Sequence, residues 1–91
     1  MKYEIWKFPF VVADSFDVKM PERARILSVQ LQGDTPCMWA LVDPEAETET
    51  RHFKVYGTGQ TVEIPWGTNC QYLGTWQQGG FVGHLFGEVP A

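Results

Sequence analysis

Three arginines are the only guanidinium groups in this 91-residue chain, and two of them stand close together. Arg23 and Arg25 are two positions apart near the start of a strand, so their side chains would share one face if both residues are extended. Pro21-Glu22-Arg23-Ala24 is also a plausible tight turn. Guanidinium forks on one face, joined by Arg51, could clamp a phosphate or a carboxylate, because each fork donates paired hydrogen bonds. The alternative is ion pairing with Glu22 or with the acidic segment 45–49. The arginines therefore predict either an anion site or surface ion pairs.

A second candidate site is the turn Tyr56-Gly57-Thr58-Gly59, which is followed by Gln60. Two glycines let the backbone approach a ligand closely, and free N–H groups in such a turn can cradle an anion. Thr58 and Gln60 would add polar contacts. The lysine and following helix of a phosphate loop are missing, so a plain hairpin turn is the alternative interpretation.

Trp66 lies between Pro65 and Gly67, a context typical of a loop. A tryptophan exposed on a loop can stack on a nucleobase or anchor a protein interface. Trp39, by contrast, stands in an apolar run and is expected in the core. Trp66 is therefore a candidate ligand-binding residue, with a protein interface as the alternative.

The sequence carries no recognisable catalytic or metal-binding pattern. His52, His84, Cys37 and Cys70 are too widely spaced for a zinc site, which needs close pairs of ligands. No serine stands in a nucleophile frame, and no local Cys–His pairing is present. We therefore expect no metal, no cofactor and no enzymatic activity.

Alternation of apolar and polar residues predicts the elements that position these candidates. Helical periodicity is almost absent, and strand-like runs recur every 8–12 residues or so, which is typical of an antiparallel sandwich. We predict one all-β domain over 1–91, a small β-sandwich or barrel-like fold of six to eight short strands. The predicted strands are 3–8, 16–20, 27–31, 37–42, 51–56, 62–64, 71–77 and 81–86.

Two of these strands have special features. The run 37–42 is apolar on both faces, so it should be the centre of a sheet, and Asp43-Pro44 should end it. The last two strands should form a hairpin, because Gly79-Gly80 supplies the positive φ of a tight turn.

Charge is distributed unevenly along the chain. Lys and Arg stop at Lys54, and Glu63 and Glu88 are the only charged side chains from Gly57 onward. A surface of this kind is expected to be covered by the rest of the domain, by a second copy of the chain or by a ligand. We predict self-association through this segment. The net charge of −4 argues against nucleic-acid binding, which depends on Lys and Arg.

The cellular setting can be predicted from the same composition. No segment is apolar and long enough for a membrane span, and Glu4 and Lys7 interrupt the region where a signal peptide would be apolar. We therefore expect a cytoplasmic protein without a membrane partner. In that reducing compartment Cys37 and Cys70 should be free thiols.

Five blocks of sequence together resemble a family of short proteins found mostly in tailed bacteriophages and prophages. They are 5–9 (IWKFP), 26–30 (ILSVQ), 38–44 (MWALVDP), 53–59 (FKVYGTG) and 72–75 (YLGT). The resemblance covers nearly the whole chain and carries no catalytic residues. It implies a viral protein that acts in the cytoplasm of a host bacterium.

These observations predict a non-catalytic, phage-encoded binding protein. The most specific version of this prediction is an anti-defence protein, a homo-oligomeric sponge that sequesters a nucleotide-derived immune signal. The arginines would meet the charge, Trp66 would stack on the base, and the turn at 57–59 would allow close approach. The alternatives are a module that binds a host protein and a minor structural or accessory protein of the phage.

Overall fold

A computed structural model describes residues 2–63 and 69–89, which form seven β-strands. They are β1 (Glu4–Pro9), β2 (Ser15–Pro21), β3 (Arg25–Gln32), β4 (Thr35–Val42), β5 (Thr48–Gly57), β6 (Cys70–Gln78) and β7 (Phe81–Glu88). One sheet has the order β1-β4-β3 and the other the order β2-β5-β7-β6, and all pairings are antiparallel. The predicted all-β sandwich of six to eight strands is confirmed.

Alternation along each strand decides which side chains enter the core. In β5, Phe53 and Val55 are buried between the sheets, whereas His52 faces outward and is exposed. Strand side chains point to opposite faces in turn, so an alternating sequence buries one face only. The same pattern gives β2 its inward Phe16, Val18 and Met20.

Strand β4 is the centre of the three-stranded sheet, as its doubly apolar sequence predicted. Met38, Ala40 and Val42 are fully buried, and Cys37 on the other face is buried as well. The strand ends at Val42, directly before Asp43-Pro44. A proline has no N–H to donate to the ladder, so the strand cannot continue through it.

The β6–β7 hairpin is formed as predicted, with Gly79 in the turn at a φ of 59°. Trp76 and Leu85 point inward and are almost completely buried. Trp76 packs edge-on against Phe10 with the ring centroids 5.4 Å apart. Part of the weakly charged C-terminal segment is therefore covered by its own domain.

Two expectations differ from the structure. Arg23 is not extended: it has a φ of 62° in the turn between β2 and β3, where the Ala24 N–H donates to the Pro21 carbonyl at 3.1 Å. Of the strand expected over 62–64, Val62 and Glu63 lie outside any strand, and Ile64 falls outside the described residues. At Arg23 the turn over Pro21–Ala24, which the sequence also indicated, takes the place of an extended conformation.

The two sheets approach each other along the edge strands β3 and β6. An ideal Cβ at Gly74 would lie 3.3 Å from Cβ of Val29, so these strands pack tightly at that point. None of the described segments is a helix with the length and apolar character that crossing a membrane requires.

Candidate anion-binding site

All three arginines line one cavity of about 520 Å³, which lies beside the first residues of β3 and β6. The turn before β3 contributes Arg23 to its lining, and β5 contributes Arg51. Its lining residues are Arg23, Arg25, Ile26, Arg51, Gln71, Tyr72, Leu73 and Val89. We call this cavity the arginine cleft.

Arg51 is the buried member of the cleft, with 4% of its surface exposed. Its Nη1 donates to the Ala24 carbonyl at 2.9 Å and to Glu49 Oε2 at 3.3 Å. Its Nη2 donates to the Glu88 carbonyl at 3.2 Å, while its Nε has no hydrogen-bond partner among residues 2–63 and 69–89. Arg51 therefore joins the β2–β3 turn to the end of β7, and it keeps one buried donor unsatisfied.

Arg23 and Arg25 are exposed at the mouth of the cleft. Within residues 2–63 and 69–89 their side chains take part in no ion pair. Glu49 accepts instead from the backbone N–H of Arg23 at 3.3 Å and from Arg51. Ion pairing with the acidic segment 45–49, the alternative to an anion site, is therefore observed among the described residues for Arg51 alone.

The electrostatic character of the cleft follows from its lining. None of the described lining residues is acidic, and Glu49 is the single carboxylate that reaches a guanidinium in the described part of the chain. Positive groups concentrated in a concave site raise the local concentration of anions. The cleft is thus suited to an anion although the whole chain is acidic.

The predicted turn, Tyr56 to Gly59, lines a second and smaller cavity of about 270 Å³. This cavity opens on the outer face of the four-stranded sheet. Its lining residues are Tyr56, Gly57, Thr58, Gly59, Gln60, Val62, Tyr72, His84 and Phe86. We call it the ring pocket, because aromatic side chains form its walls.

The backbone N–H groups of the turn are largely engaged within the protein. The Gly57 N–H donates to Oε1 of Gln60 at 2.5 Å, and the Gln60 N–H donates to the Gly57 carbonyl at 3.1 Å. The Thr58 N–H donates to the Val82 carbonyl at 3.3 Å. These three N–H groups already donate within the protein, so they are not free donors for a bound anion.

The ring pocket is lined by aromatic rings in mutual contact and by hydrogen-bonded polar side chains. Phe86 makes near-perpendicular contacts with Tyr56 and Tyr72, at centroid distances of 5.7 and 5.2 Å. His84 lies between two hydroxyls: Nε2 is 2.7 Å from Thr58 Oγ1, and Nδ1 is 2.9 Å from the Tyr72 hydroxyl. The pocket offers a planar ligand both aromatic walls and hydrogen-bonding groups.

The sequence prediction identified the arginines and the turn but missed Tyr72, His84 and Phe86. Their signal was available in the alternation of the last two strands, which places Tyr72 and Phe86 opposite each other on one face. Trp66, the residue predicted to stack on a base, lies outside the described residues. The aromatic groups that the structure does place beside the turn are therefore new candidates.

The remaining titratable groups do not extend either site into a metal centre. Among the described residues no three His, Cys, Asp or Glu side chains are grouped as metal ligands. Cys37 and Cys70 are both free, and burial followed by the Glu88 charge raises the pKa of the Cys70 thiol. A raised pKa leaves less thiolate, the reactive form of cysteine.

Comparison with known proteins gives one match. A family model described as a domain of unknown function (DUF7352) matches residues 1–91. Neither the curated proteins nor the solved structures contain a match to this chain.

Proposed function

This chain belongs to the DUF7352 family, and we propose that it is a non-catalytic protein that binds a small anion in the arginine cleft. The observation that carries the proposal is that three guanidinium groups line one cavity, and that those of Arg23 and Arg25 take part in no ion pair within residues 2–63 and 69–89. A phosphate or carboxylate in the cavity would accept charge-assisted hydrogen bonds from these groups.

Size and charge favour a phosphorylated small molecule. Small-molecule sites occupy roughly 300–1,000 Å³, and the cleft of about 520 Å³ lies in that range. A nucleotide-derived signal has a suitable charge and volume. A more specific form of the proposal is that an oligomer of this chain sequesters such a signal inside a phage-infected bacterium. The viral setting and the oligomer rest on the sequence resemblance and on the charge distribution.

A second candidate function is binding to a protein through the loop between β1 and β2. Val11 in this loop is 84% exposed, and Val12 beside it is exposed as well. Val11 also borders an apolar cavity of about 450 Å³ together with Phe10 and Phe16. An apolar surface of this kind favours a protein partner over a phosphorylated ligand.

Titration calorimetry with inorganic pyrophosphate tests the anion site. We expect the wild-type protein to bind pyrophosphate and Arg25→Ala to bind it at least about tenfold more weakly, as the loss of one charge-assisted contact implies. Lys19→Ala is the matched control, because it removes one positive charge from β2, at the opposite edge of the sheet from β6. Absent binding, or equal weakening by both variants, would contradict the proposal.

A further inference from the structure

We infer that the ring pocket holds the planar ring of the same ligand whose anionic group enters the arginine cleft. This inference rests on the proposed function, and it narrows the ligand to an aromatic anion, such as a nucleoside phosphate. The decisive residue is Tyr72, which lines both cavities.

Residues of the edge strand β6 line both cavities: Gln71, Tyr72 and Leu73 line the cleft, and Tyr72 also lines the ring pocket. β6 is the last strand of its sheet, so no further strand separates the cleft from the outer face at this edge. The register shifts between Tyr72 and Gly74, which is where β6 carries a bulge. Bulges redirect neighbouring side chains. Here Leu73 packs against the core, while Tyr72 contacts Phe86 on the outer face.

Tyr72 is available to a ligand on the outer face. Its side chain is 47% exposed, although it is an aromatic residue in the middle of a strand. Phe86 stands nearly perpendicular to it, with an angle of 75° between the ring planes. A heterocycle stacked on an aromatic side chain gains roughly 1–3 kcal/mol. The exposed ring of Tyr72 is therefore a natural stacking surface at the rim of the cleft.

Polar groups in the ring pocket can recognise the edge of a heterocycle. The ring nitrogens of His84 hold the hydroxyls of Thr58 and Tyr72 in place, and a hydroxyl can both donate and accept hydrogen bonds. Gln60 uses its Oε1 to accept from Gly57, so its amide N–H groups still have donor capacity. Such groups distinguish one base from another, whereas the aromatic walls bind any planar ring.

Calorimetry with three sets of probes tests the inference: inorganic pyrophosphate, the four common ribonucleosides, and their 5′-monophosphates. We expect at least one monophosphate to bind about tenfold or more tightly than pyrophosphate, since stacking adds to the anion contact. Tyr72→Ala should remove that gain, and it should weaken monophosphate binding about tenfold or more while weakening pyrophosphate binding much less, although Tyr72 also borders the cleft. Tyr72→Phe is the matched control and should retain most of the gain, because it keeps the ring.

The outcomes separate the inference from the proposed function. If pyrophosphate does not bind the wild-type protein, the anion site itself is wrong. If pyrophosphate binds through Arg25 but no monophosphate binds more tightly, the anion site stands and the shared site is overturned. The shared site is also overturned if nucleosides bind as tightly as their monophosphates, or if Tyr72→Ala weakens pyrophosphate as much as it weakens the nucleotide. A thermal melt of each variant confirms that it is folded.

Discussion

Trp76 and Gly83 face each other across the β6–β7 hairpin, and the indole occupies the space that a side chain at Gly83 would need. An ideal Cβ at Gly83 would lie 2.5 Å from Cη2 and from Cζ2 of Trp76. The same relationship recurs four residues later, where a Cβ at Gly87 would lie 2.6 Å from Cδ1 of Phe53. The glycines of β7 thus make room for core rings.

Gly83→Ala should strongly destabilise the protein. The added methyl group would overlap the indole of Trp76, which is 3% exposed and also packs against Phe10 and Phe81. Overpacking of this kind costs about 1–3 kcal/mol. Urea denaturation measures the loss. Gly80→Ala is the matched control, since nothing lies within 4 Å of its Cβ position, and equal losses in the two variants would contradict the steric argument.

The two kinds of arginine in the cleft should respond differently to substitution. Arg51→Ala removes hydrogen bonds to two backbone carbonyls, those of Ala24 and Glu88, and should reduce the free energy of unfolding by roughly 2–3 kcal/mol. Arg25 is exposed and without an ion pair in the described chain, so Arg25→Ala should change stability by less than about 0.5 kcal/mol. Urea denaturation of both variants is the measurement. A large loss in Arg25→Ala would contradict this assignment.

The fold was predictable because alternation is a local signal. The placement of β4 followed from its two apolar faces, and the β6–β7 hairpin followed from the two glycines at its turn. The strand predicted over 62–64 shows the limit of this signal, since Val62 alternates with polar neighbours and still lies, with Glu63, outside any strand. A short alternating run forms a strand only where a neighbour offers an edge for pairing, and the sequence does not record such neighbours.

The candidate site was predictable only in part, because its geometry depends on contacts between distant residues. The sequence drew attention to the arginines, but Arg23 and Arg25 do not share a strand face, because Arg23 lies in the turn and only Arg25 is in β3. The turn and the strand still bring both residues to one cavity. The burial of Arg51 depends on the carbonyls of Ala24 and Glu88, 27 and 37 positions away. Residue spacing carries no information on such contacts.

The two thiols should differ in their reaction with a disulfide reagent. Cys37 is 1% exposed in the centre of β4, whereas Cys70 is partly exposed at the start of β6. Cys70 should therefore react in the folded protein, although more slowly than a free thiol because its pKa is raised. Cys37 should react only after denaturation. Mass spectrometry after labelling counts the modified thiols. The folded Cys70→Ser variant is the control and should remain unlabelled. Rapid labelling of both thiols in the folded wild type would contradict the described burial of Cys37.

The His52–Asp17 pair should make stability depend on pH. Nδ1 of His52 is 2.5 Å from Oδ1 of Asp17 on the outer face, and this hydrogen bond raises the pKa of His52 above its ordinary value of 6.5. The charged imidazole is therefore favoured in the folded state. Its contribution is complete below the unfolded-state pKa and is lost as the pH rises through the higher folded-state pKa. Both side chains are largely exposed, so the contribution should be only about 0.2–1 kcal/mol.

Asp17→Asn tests this dependence, because it removes the partner and keeps the shape of the side chain. The Tm difference between wild type and Asp17→Asn should be a few degrees at about pH 5.5, where His52 is charged, and should shrink by about pH 9. Lys19→Ala, on the same exposed face of β2, is the control and should change Tm equally at both pH values. A pH-independent difference for Asp17→Asn would show that the pair contributes through shape or a neutral hydrogen bond, because only the ionic contribution disappears when His52 loses its proton.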